Sequence, residues 1–266
     1  MKILFVNNAK MCSGAEEHLI DLAHEMVNHG DEPVFLTRSG WPFYERLLKE
    51  RLPVHAVMRD GFKKLSSLWD TVRIILKEQP DVISVNREHD LYVTYAAALC
   101  ARSFQSRTPK LVAVFHTPNS RKYAILSQFD GIVCTSHYTA DSYATANPSI
   151  RERIAVIHYG IQLPEPRIKE KLSKNRPRFF FPDRHFPIIG MAGELWKNQE
   201  ELVEASRILQ KSYPDITVAI VGSGYQTTTD RLTAMIRDYG LEKNVILTGR
   251  VPRSDMPQIF FDLDLS

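Results

Sequence analysis

Residues 2–28, KILFVNNAKMCSGAEEHLIDLAHEMVN, and residues 187–212, PIIGMAGELWKNQEELVEASRILQKS, write one pattern twice, and that repetition decides the fold. In the first stretch Ile3, Leu4, Phe5 and Val6 form an unbroken apolar run, as a strand buried on both faces requires. A turn at Ser13-Gly14 follows, then a predicted helix over 15–28 with Leu19, Leu22, Ala23 and Met26 at helical spacing. Ser13 stands three residues before Glu16, the spacing of a capping box. In the second stretch the apolar run 187–193 passes through Trp196, Lys197 and Asn198 into a helix predicted over 199–212. A chain that restarts strand–turn–helix midway reads as two α/β domains facing each other. Ligands of such folds bind outside the carboxyl ends of the parallel strands, so a two-substrate enzyme is the first expectation.

Working outward, further strands are predicted at 33–37, 54–57, 82–86, 111–116, 131–135 and 154–158, and the first at 2–8. Helices are predicted at 65–79, 91–102 and 137–146, and strands separated by helices pair in parallel through right-handed crossovers. A proline-rich, charged stretch breaks the rhythm, so the expected organisation is a domain over 1–165, a linker over 166–186 and a second domain over 187–266. The second domain continues with strands at 188–192, 217–221 and 245–249 and helices at 229–239 and 254–261. Leu263 to Ser266 reads as the start of another strand. The fold class is therefore α/β, two Rossmann-like doubly wound domains with the second incomplete and open at its sheet edge, where a partner chain is one expected cover.

Composition narrows the function. No apolar run approaches the ~18 residues of a membrane span, and no secretory signal pattern opens the chain. Cys12, Cys100 and Cys134 are sparse and odd in number, which points to a reducing compartment, the cytoplasm, and away from a disulfide framework or zinc site. The net charge of +3 gives no reason to expect nucleic acid. The basic excess is local: Arg167, Lys169, Lys171, Lys174, Arg176, Arg178 and Arg184 crowd the linker, either as a solvated connector or as a cationic surface for phosphates or anionic lipid at the inner membrane face.

Candidate site residues lie at predicted strand ends. Ser13 and Gly14 form a turn before a helix, where free N–H groups attract an anion. His116 ends the strand 111–116 and points toward a crevice. Lys197 follows Gly193 at the head of a helix and supplies a point charge to a diphosphate. Gly222 and Gly224 follow the next strand, and Gly249, Arg250 and Val251 the one after; three such loops at one edge favour a nucleotide crevice. His158 is expected at an interdomain contact, and the histidines show no metal spacing with acidic partners.

Together these residues resemble the family 4, or group 1, glycosyltransferases, the retaining, nucleotide-sugar-dependent group with the GT-B fold. Ser13-Gly14-Ala15-Glu16 is similar to the family's Gly-Gly-Ala-Glu opening. Val112 to Thr117 resembles the strand that ends in its active-site histidine. Residues 134–138 and 156–161 look like the closing strands of the acceptor domain. Ile189 to Gly193, then Trp196 to Glu200, resemble the donor segment, continued by 221–224 and 247–251.

The resemblance implies roles. Gly14 admits the donor diphosphate or the acceptor, His116 contacts the transferred sugar, Lys197 neutralises the leaving diphosphate, and Gly249 to Val251 lie near the base. It implies no resident cofactor or metal: the nucleotide-diphosphate sugar is a substrate, and the acceptor is a glycan or a lipid-linked molecule, as in polysaccharide biosynthesis. Two features depart from the family. Glu194 stands where it carries an arginine, and the later pair of glutamates and the crossover helix would fall beyond Ser266, so the donor domain is expected to be truncated. The expected function is glycosyl transfer with retention. The alternatives are a non-catalytic glycosyltransferase-like binding protein and, more remotely, a nucleotide-sugar epimerase.

Overall fold

The structure, a computed structural model, describes residues 1–57, 65–105, 107–160, 178–184 and 187–266. It divides into two compact units, Met1–Ile161 and Gln162–Ser266.

The first unit carries β1 (Lys2–Val6), α1 (Gly14–Asn28), β2 (Glu32–Arg38), α2 (Pro42–Lys49), β3 (Val54–Val57), α3 (Leu65–Glu78), β4 (Val82–Val85), α4 (Leu91–Arg102), β5 (Lys110–Phe115), β6 (Gly131–Cys134), α5 (His137–Ala146) and β7 (Ile154–Val156). The strands form one parallel sheet in the order β3-β2-β1-β4-β5-β6-β7. Alternation along β1 divides the core: Leu4 and Val6 pack toward Val72, Ile75, Leu91 and Ala97 of α3 and α4, while Phe5 joins Leu19, Ile20, Ala23, Phe43 and Leu47 of α1 and α2. The sheet grows one way from β1 and returns the other way at β4, so a crevice opens at the carboxyl ends of these two neighbours.

The second unit carries β8 (Ile188–Ala192), α6 (Gln199–Leu209), β9 (Thr217–Val221), α7 (Gln226–Asp238), β10 (Val245–Gly249) and α8 (Met256–Asp262), with parallel strand order β10-β9-β8. Val218 and Ile220 face Val203, Leu232 and Ile236 on one side, and Ala219 and Val221 face Ile259 and Leu263 on the other. The terminal residues, expected to begin a strand, add to the free side of β8: Leu265 bridges Ile189 in parallel, and the Gly190 amide donates to the Leu265 carbonyl at 2.8 Å. β8 thus occupies the position in this sheet that β1 holds in the first.

Several boundaries differ from those expected. The β1, β4, β5, β6 and β7 strands all stop short of their predicted polar ends, and the Asn8 amide shows why: it leaves the ladder for the Asp90 carboxylate at 3.0 Å. The α2 helix was not expected; Pro42 at its start and an amphipathic pattern with only Phe43 and Leu47 buried give a weak signal over so short a span. Of the stretch read as a linker, residues 178–184 pack into the second unit, while 166–177 and 185–186 lie outside the described residues. Arg178 is accordingly no part of a cationic surface. Its guanidinium is buried, paired with Asp264 at 2.8 Å and donating to the Asp262 carbonyl, and Arg184 donates to the Lys243 carbonyl.

Candidate functional site

In the first unit the polar residues that follow β1, β4 and β5 gather at one end of the sheet. Glu16, in the first turn of α1, is 1% exposed and accepts four hydrogen bonds: from the Ser13 amide (3.0 Å) and hydroxyl (2.6 Å), from Asn7 Nδ2 (3.1 Å) and from Arg87 Nη2 (3.2 Å). Burial alone would raise its pKa, but these donors outweigh burial and hold the carboxyl below its ordinary value. The Ser13–Glu16 contact predicted from spacing therefore forms, and the positive end of α1 already carries a carboxylate of its own. Beside it, Asp90 is fully buried and accepts from the Asn8 amide and Nδ2, both at 3.0 Å; burial pushes its carboxyl up.

Those bonds also orient the asparagines. Asn7 and Asn8 spend their Nδ2 groups on carboxylates, which only accept, and Asn86 spends its own on Ser84. Each Oδ1 is left buried with no partner among the described residues.

His116 directly follows Phe115, whose ring stacks on Tyr143 at 3.9 Å and fixes the strand end. Its Nδ1 lies 2.6 Å from the Tyr159 hydroxyl, and its Nε2 is buried with no partner among the described residues. Burial lowers its pKa to about 4 despite the Glu16 charge, so the ring is neutral near pH 7. His158, expected at an interdomain contact, places Nδ1 3.1 Å from the Thr135 carbonyl of its own unit.

In the second unit the loops after β8, β9 and β10 interlock. A Cβ at Gly222 (φ +143°) would sit 1.9 Å from the Gly193 carbonyl oxygen, and one at Gly224 2.7 Å from Leu195 Cβ. The Gly193 amide donates to Val221, the Gly222 amide to Gly249 and the Lys197 amide to Gln199 Oε1. Those three amides are spent within the protein, while the Lys197 side chain is exposed and passes over Gly193 with Nζ 5.7 Å from the Trp196 ring centroid. Glu194 accepts a hydrogen bond from the Trp196 indole. Arg250 and Val251 border a pocket of about 400 Å³ together with Phe180, Arg184, Thr248 and Ile259.

The structure thus brings Ser13, Gly14 and His116 to one end of the first sheet, and Gly193, Lys197, Gly222, Gly224 and Gly249 to one end of the second. Gly14 differs from Gly222: a Cβ there meets nothing within 4 Å, leaving open space over the backbone. Sequence reasoning missed Asn7, Asn8, Asn86, Arg87, Asp90 and Tyr159. The signal was present for the asparagines and Arg87: Asn-Asn and Asn-Arg directly after two apolar runs put hydrogen-bonding groups at adjacent parallel strand ends. Among the described residues no helix is long and apolar enough to cross a membrane.

Residues 12–164 match the model described as Glycosyltransferase Family 4, and residues 176–266 match that of Glycosyl transferases group 1. No sequence among curated proteins matches the chain. Among solved structures it resembles HepE of Anabaena, crystallised with UDP-glucose, at 22% identity and a TM-score of 0.75, over 99% of this chain and 72% of that one. A glycosyltransferase from Rickettsia africae aligns at 20% identity and a TM-score of 0.74, over 98% of this chain and 71% of that one. The lipopolysaccharide outer core galactosyltransferase WaaB aligns at 14% and 0.66, over 99% and 72%. The shared architecture is GT-B.

Proposed function

The chain belongs to glycosyltransferase family 4, and from that premise we propose that it transfers a sugar, with retention, from a nucleotide-diphosphate sugar to a glycan or lipid-linked acceptor. The observation that carries this reading is the pair of family matches in sequence order, one over each unit. HepE was crystallised with UDP and with UDP-glucose, which makes a uridine donor the first to try.

In this reading the Lys197 ammonium supplies the positive charge against which the diphosphate departs, and Gly249 to Val251 border the base. Fixed charge aimed at the oxygen where negative charge develops lowers the barrier because it needs no reorganisation during the reaction. Gly193, Gly222 and Gly224 hold the loop that presents Lys197. The open backbone at Gly14, beside Ser13, admits the diphosphate or the acceptor, and the neutral His116 ring bonds the transferred sugar. Glu194 bears on the same step: placed near a diphosphate its charge would oppose Lys197, and it is engaged by the Trp196 indole.

The test is ligand-detected NMR of the chain with UDP, GDP, ADP and UDP-glucose. Saturation transfer to one nucleotide, lost in Lys197→Ala, is the expected result. No transfer to any of them would leave a glycosyltransferase-like binding protein without a working donor site.

A further inference from the structure

We propose that Tyr159 is a positioning residue that holds His116 as the tautomer protonated on Nε2, so that the ring offers its unpartnered nitrogen as a hydrogen-bond donor to a ligand oxygen. The inference deepens the reading above, since it takes His116 as a ligand contact.

The contact between His116 Nδ1 and the Tyr159 hydroxyl is 2.6 Å, a short hydrogen bond between two groups that can each donate or accept. The phenol is protonated, because burial and the Glu16 charge raise its pKa, and so it has a proton to give to Nδ1. A neutral imidazole that accepts at Nδ1 carries its proton at Nε2. The phenol is held in place independently: its ring packs against His18 of α1 with centroids 4.3 Å apart, and lies 21° from the plane of His116. Thr135 Oγ1 donates to the His116 carbonyl at 3.4 Å, so backbone and ring are both restrained.

Nε2 is the atom left over. Its surroundings bury it without an acceptor among the described residues, and a buried N–H without a partner is costly. A ligand oxygen, of a sugar hydroxyl or of a phosphate, removes that cost. His116 in this state has no lone pair free to take a proton from an acceptor hydroxyl. Its part is to bind and polarise rather than to act as a base.

The experiment is a long-range proton–nitrogen correlation on the full chain labelled with ¹⁵N-histidine, with the His116 signals identified by their loss in His116→Gln. The expected result is a proton on Nε2 in the wild type and a mixture of both tautomers in Tyr159→Phe, which keeps the ring against His18 and removes only the hydroxyl. A proton on Nδ1 in the wild type, or an unchanged tautomer in Tyr159→Phe, overturns the proposal. Turnover of UDP-glucose by Tyr159→Phe is expected to fall about tenfold, the loss of one hydrogen bond's worth of orientation. A chain with no turnover of UDP-glucose but the expected tautomer pattern would count against this donor for the function, and leave the role of Tyr159 standing.

Discussion

A neutral histidine beside a charged carboxylate is unusual, and His116 is neutral because burial outweighs Glu16. The consequence for stability has a definite sign. The folded pKa of about 4 lies below the ordinary histidine value of 6.5, so between those values the unfolded chain binds more protons. The His116 contribution to stability is then greatest above pH 6.5 and declines as the pH falls toward 4. Urea midpoints at pH 7 and pH 5 should show a smaller drop for His116→Gln than for the wild type. An equal drop would mean that the ring titrates normally. At this scale the sequence was partly legible. A histidine ending a strand was visible, but its partner Tyr159 lies 43 residues further on, in a loop that no periodicity marks.

Elements were more legible than their ends. The β8, β9 and β10 strands match the predicted spans, because a short apolar run bounded by turn residues leaves few alternatives. The α2 helix escaped for the opposite reason, being short and anchored by two side chains. Residues 178–184 escaped because charge was read as exposure, whereas Arg178 is 4% exposed at its side chain against 10% for Asp264. That pair ties the approach to β8 to the end of α8, and Asp264 also accepts from the Ile188 amide at 2.7 Å. Removing one member strands a buried charge, so Arg178→Met should cost about 3–5 kcal/mol in urea unfolding. A cost below about 1 kcal/mol would show the pair to be solvated.

At the scale of the whole molecule, the repeated strand–turn–helix pattern predicted the two-unit architecture. Strand order was not readable, since no side chain announces that β4 and the terminal Leu265 bridge return to the far side of β1 and β8. Two units with separate cores need not unfold together. Gly222→Ala forces a Cβ to 1.9 Å from a backbone carbonyl, and should destabilise the second unit by about 3 kcal/mol or more. Fluorescence from Trp196 should report that loss, while a reporter at Trp41 in the first unit keeps its midpoint. A joint shift of both would show one cooperative block.

The contact between Gly222 and Gly193 also has a mechanical meaning. With no gap for even a methyl group, the crests of β8 and β9 work as one lever rather than two independent fingers. The Lys197 side chain lies across that joint at Gly193, so a load applied to its ammonium is borne by the backbones of both strands at once.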